Sequence, residues 1–98
     1  MGELNAIIHQ PVRLRIMGAL CGLAPSEQVD FGFLKAKLEL TDGNLGAHLT
    51  TLEESGYVKI EKTFVGKRPK TFLAATKTGR RAFDAHVAAL REILEKGE

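Results

Sequence analysis

A chain of 98 residues makes one domain, near the lower limit for a protein that supplies its own core. Its 44% hydrophobic and 27% charged content excludes a disordered tail. The longest nearly apolar run, residues 16 to 25, is too short and too glycine-rich to span a membrane. The net charge of +2 is modest only because two unequal halves nearly cancel.

Taken in chain order, residues 3 to 9 read as a short helix with Leu4, Ile7 and Ile8 apolar. Pro11 suits the first turn of a second helix, where its missing N–H costs nothing. Val12, Ile16, Leu20 and Leu23 then recur at helical spacing, and the run from Ala24 to Glu27 ends that helix. Asp30 is an N-cap for a third helix, FGFLKAKLEL, whose Phe31, Leu34 and Leu38 share a face. After the turn at Glu39-Leu40, Thr41 caps a fourth helix, with Asp42 placed where the helix dipole favours an anion. Leu45, Leu49 and Leu52 are its core stripe, and Gly56 is its C′ residue. The opposite side shows Asp42, Asn44, His48, Thr50 and Thr51. Two short helices joined by a tight turn, each with one apolar face, describe a helix-turn-helix. YVKIEKTF and TFLAAT then read as strands, with the basic turn VGKRPK between them. Thr76 caps a last helix from about Lys77 to Lys96, in which Phe83, Val87, Leu90 and Leu94 form an apolar stripe.

The charge is concentrated in this second half. Residues 1 to 58 hold four basic side chains against seven acidic ones, whereas residues 59 to 81 hold eight basic ones against Glu61 alone. Such a segment points either to a polyanionic partner or to a solvated lysine face. A helix-turn-helix followed by a basic hairpin is the winged-helix arrangement, an α+β fold with about five helices and a two- to three-stranded wing. A helix fits the major groove of B-DNA, and short polar side chains near its N-terminal half reach base edges and phosphates. Asn44 can pair bidentately with adenine, and His48, one turn on, can donate to guanine or phosphate. Thr41 and Thr51 complete the candidate face of this reader, residues 41 to 55. It carries neither Lys nor Arg. The electrostatic share of binding therefore falls to the wing, residues 64 to 71, through Lys67, Arg68 and Lys70, with Lys62 beside them.

HQPVRLRIMGAL, FGFLKAKLEL, LTDGNLGAHLTTLEESGYV, GKRPKT and TKTGRRAF resemble, in order, the segments of small winged-helix transcriptional regulators related to the MarR, ArsR and PadR groups. The resemblance implies base and phosphate contacts on Thr41, Asn44 and His48 and wing contacts on Lys67, Arg68 and Lys70. It also implies a homodimer built through the terminal helices. Two departures stand out. Gly46 occupies a position where such proteins usually carry serine or another hydrogen-bonding residue, and Ala75 precedes the capping threonine in place of leucine.

The last helix supports self-association on its own terms. Ala82, Ala85, Ala89 and Ile93 widen its stripe beyond what a domain this small can cover. Phe83, His86, Val87, Leu90, Ile93 and Leu94, with Leu4, Ile7 and Ile8 of the first segment, are the expected dimer interface. Asp84 and His86, with Glu95 and Glu98 downstream, resemble the dimer-helix metal sites of ArsR-type regulators. No downstream histidine completes that set, so a packed, hydrogen-bonded His86 is expected and no metal. Cys21 excludes an intrachain disulfide and reads as a small core residue. No enzyme signature is present, no cofactor is expected, and no secretory leader or membrane partner is read from the chain, so the expected location is cytoplasmic. Any small-molecule effector would have to bind at the dimer interface or between the helices. The expected partners are double-stranded DNA and a second copy. The competing reading is a winged-helix protein-interaction subunit of a larger complex.

Overall fold

The computed structural model describes residues 3 to 97. Four helices and three strands follow in the order α1 (Pro11–Cys21), β1 (Val29–Asp30), α2 (Phe31–Leu38), α3 (Asp42–Glu54), β2 (Val58–Val65), β3 (Arg68–Ala75) and α4 (Lys77–Lys96). The sheet is antiparallel in the order β1-β3-β2. This is the expected α+β winged helix-turn-helix with one helix fewer. Residues 3 to 9 make a single turn, closed by His9 N donating to Asn5 O at 2.7 Å. Asn5 Oδ1 caps that turn by accepting from Ile7 N and Ile8 N. It cannot lengthen, because Gln10, preceding Pro11, is held extended.

Local side-chain chemistry sets the helix starts. Asp30 accepts from Phe33 N, Thr41 from Asn44 N and Thr76 from Gly79 N, each satisfying one orphan N–H of the first turn. Two helix ends close alike. At α3, Gly56 N donates to Glu53 O and Tyr57 N to Leu52 O, with Gly56 at φ +80°. At α2, Glu39 N donates to Ala36 O and Leu40 N to Lys35 O, with Glu39 itself left-handed. Both are Schellman closures, and the second sets the angle between α2 and α3.

The end of α1 is different. It stops at Cys21, three residues before the expected break. Arg80 of α4 lies across it, donating to the carbonyls of Cys21, Leu23 and Ala24 at 3.1–3.2 Å. A cation on the last carbonyls of a helix is favoured by the dipole as well as by the hydrogen bonds.

One core joins these elements. Ile16, Met17 and Leu20 of α1, Leu34 and Leu38 of α2, and Leu45, Leu49 and Leu52 of α3 meet Val58 and Leu73 of the sheet. Ile8 joins them with no exposed surface. The N-terminus of α4 is pressed onto the corner between α3 and β2. Thr76 N donates to Tyr57 O, Thr76 Oγ1 to Gly56 O, and Gly79 faces the Tyr57 carbonyl with no room for a side chain.

Candidate nucleic-acid interface

At about 100° per residue, the buried Leu45, Leu49 and Leu52 define one side of α3. The side facing away is centred on Gly43, Ala47 and Thr50, all exposed. Asn44 lies on its edge and is exposed too. Thr51 is half-buried and His48 sits closer to the core, on the flank toward α1. Asn44 is thus accessible on the edge of the open face, whereas His48 is less central to it than its spacing from Asn44 suggests. The sequence reading did not single out Gly43 or Ala47, whose small side chains leave the helix surface open to close approach. Thr50 and Thr51 each donate their hydroxyl to the carbonyl four residues back.

His48 has an unforeseen partner. Arg13 of α1 brings Nη1 to within 3.1 Å of His48 Nδ1 while its Nε donates to Ile7 O. A guanidinium only donates, so His48 Nδ1 accepts and its proton sits on Nε2. That leaves an N–H donor on the far side of the ring. Arg15 donates to Leu38 O at 2.7 Å, so both arginines are held by contacts within the chain.

The wing is longer and its turn tighter than expected. Only Gly66 and Lys67 lie outside the ladder, between the paired Val65 and Arg68. Gly66 takes φ +67°, as the first central position of a two-residue hairpin turn of this hand requires. Arg68 to Lys70, expected in the turn, belong to β3. Alternation from Val58 and Ile60 puts Lys62 and Phe64 on the helix-side face, opposite Thr71 and Pro69. Val65, Arg68 and Lys70 leave the other face. All of residues 61 to 70 are exposed.

The eight cations of the basic segment do not act together. Lys62, Lys67, Arg68 and Lys70 are on the wing. Arg80 caps α1 inside the protomer, so its contribution to a basic surface is corrected: it serves the fold. Lys70 Nζ lies 3.5 Å from Asp30 Oδ2. The Phe33 N–H it accepts lowers the Asp30 carboxyl below its ordinary value, with help from Lys70 and against partial desolvation. Among the described residues, Lys67 and Arg68 have no carboxylate partner. Between α3 and the wing runs a groove of about 340 Å³ lined by Gly46, Thr50, Glu53, Lys62 and Thr71 over a floor of Leu49, Ile60 and Leu73. Reader face and wing thus bound one concave surface.

The surfaces named for self-association divide. Leu94 is 77% exposed, and Val87, Leu90 and Ile93 are only half covered. Phe83, Leu4 and Ile7 are also half-buried, Phe83 packing toward Gly18. Ile8 and His86 are corrections, because both are enclosed within one protomer. His86 Nδ1 accepts from Asn5 N at 3.0 Å, and its Nε2 lies 3.3 Å from His9 Nδ1. Desolvation, reinforced by His9, lowers the His86 pKa. Among the described residues no cluster of three or more potential ligands could hold a metal, and Glu98 lies outside those residues. Burial pushes the Cys21 thiol up, away from the reactive thiolate. No described helix is long and apolar enough to cross a membrane.

Residues 12–94 match the family described as winged helix DNA-binding domain. The chain belongs to this family. It is 40% identical over 87 residues to an uncharacterized protein of Methanocaldococcus jannaschii, covering 89% of this chain and 91% of that one. Among solved structures it is similar to a transcriptional regulator homologue protein from Pyrococcus horikoshii. The two share a TM-score of 0.83 and 32% identity, over 94% of this chain and 88% of that one. A possible transcriptional regulator from Methanosarcina mazei shares the fold at a TM-score of 0.63 and 16% identity, over 94% of this chain and 78% of that one. In this member, α3 and the wing frame the groove just described.

Proposed function

We propose that the protein is a homodimeric, sequence-specific transcriptional regulator. Its α3 enters the major groove, and its wing lies on the backbone or in the flanking minor groove. The observation that carries this reading is the open face of α3 beside a wing whose Lys67 and Arg68 have no carboxylate partner among the described residues. Asn44 on the edge of that face and the Nε2–H of His48 on its α1 flank are the α3 groups with the donor and acceptor patterns that base edges demand. Because α3 has no cation, phosphate neutralisation rests on the wing, and a second protomer doubles it. The α4 face of Val87, Leu90, Ile93 and Leu94 is the surface through which two copies join. Two α3 helices then meet successive major grooves, with half-site centres about 10 base pairs apart or a multiple of that.

Selection of bound fragments from random duplex DNA tests the reading. The expected product is an inverted repeat whose preference relaxes at one position per half-site in Asn44→Ala, a bidentate pair being worth about 1 to 3 kcal/mol of discrimination. Selected pools without any common sequence would contradict it. One observation favours a second reading, a protein-interaction subunit: Asp42, Glu53 and Glu54 make α3 acidic. Failure of the purified protein to retain any duplex at low salt would favour that alternative.

A further inference from the structure

The wing tip carries an apolar group that phosphate contact does not explain. Phe64 is 69% exposed, with no cover from the core. It stands two residues beyond Lys62 on the helix-side face of β2, about 7 Å further along the strand. Lys62 lines the groove against Thr50 of α3, so Phe64 extends that concave surface outward, on the side a duplex held by α3 would occupy. Its cross-strand neighbour is Pro69, which is rigid and lacks an N–H; Lys62 shares its face of the strand and Lys67 sits in the adjoining turn. An exposed phenyl ring on a two-residue hairpin gains nothing from the fold. It stands where a hairpin held in a minor groove would press an apolar group against sugars and base edges, amid cations that hold the flanking phosphates.

We propose that Phe64 is an apolar wedge that enters the DNA minor groove beside the site read by α3, partly unstacking one base step. This rests on the DNA-binding reading above and adds to it a contact that is independent of salt. The occupant is duplex DNA rather than an apolar protein surface, because Lys62 stands on the same face, Lys67 sits in the adjoining turn, and no described carboxylate pairs with Lys67 or Arg68.

The test is fluorescence anisotropy across a salt series, using a duplex recovered by the wild-type protein, with 2-aminopurine scanned through the flanks of the site. Phe64→Ala should weaken binding about tenfold while leaving the slope of log K against log salt unchanged. It should also abolish the fluorescence rise that wild type induces at one flanking step. Lys67→Ala should instead reduce the slope by about 0.9 per contact. Phe64→Leu, still apolar, should keep most of the affinity. Thermal unfolding should be the same for all three variants, since each change is at an exposed position. Wild-type affinity in Phe64→Ala, or a lowered salt slope there, would overturn the wedge while leaving DNA binding intact. Wild type that binds no duplex would instead remove the reading beneath it.

Discussion

At the scale of single residues, the least conspicuous positions constrain the protein most. A Cβ on Gly79 would lie 2.0 Å from the Tyr57 carbonyl oxygen and 2.8 Å from its carbon, and backbone cannot yield as a flexible side chain does. Gly79→Ala must push α4 off the corner between α3 and β2. It should cost at least about 2 kcal/mol, read as a lower urea midpoint; a wild-type midpoint would contradict the packing. His86 makes stability depend on pH. Its Nδ1 accepts from a backbone N–H and its Nε2 faces His9, while Tyr57 reaches the same cluster through Asn5 Nδ2. Burial holds its pKa below the ordinary value of 6.5. Above that value neither folded nor unfolded chain carries the proton, so the full stability is present. As pH falls below it, the unfolded chain binds a proton that the folded chain resists, and stability is lost toward the lowered folded value. In denaturant melts from neutral to acid pH, wild type should lose stability more steeply than His86→Gln. Parallel losses would show that another group is responsible.

At the scale of elements, what was legible in the sequence was what the sequence settles locally. Asp30, Thr41 and Thr76 cap their helices because a short side-chain oxygen bonds an N–H three residues on, and Gly56 closes α3 because it accepts a left-handed φ. The rest depended on distant chain. β1 has two residues, too few to show alternation, and exists only because β3 offers it a partner. The last carbonyls of α1 are met by a side chain 59 residues away at Cys21, so its end could not be placed from its own residues. The same long-range contact took Arg80 from the basic surface, and Arg13 pairs with His48 on the flank of α3. Helix α3 offers a direct check. A Cβ at Gly46 would meet nothing within 4 Å, and its φ is helical. Gly46→Ala should therefore stabilise the protein by up to about 1 kcal/mol, raising the melting temperature by roughly 4 to 8 °C. A lower melting temperature would mean that the groove wall is tighter than its geometry shows.

At the scale of the whole molecule, the protomer is elongated, 53 Å by 25 Å by 21 Å. Helix α4, 20 residues and about 30 Å long, keeps its first turns on the body and leaves Leu94 exposed. Leu90→Glu with Leu94→Glu should give a monomer by light scattering, with weakened DNA binding; a wild-type mass in the double variant, or a monomeric wild type, would remove the dimer. In the proposed dimer, the reader face and the wing of each copy meet one duplex. That claim is tested most directly by the salt dependence of duplex binding, measured for wild type and for Lys67→Ala, Arg68→Ala and Lys70→Ala combined. The wing account predicts a steep inverse dependence for wild type. In the variant the slope should be shallower by about 0.9 for each phosphate contact removed, with Lys70 contributing only as far as DNA draws it from Asp30. Equal slopes for the two proteins would show that the wing does not touch DNA.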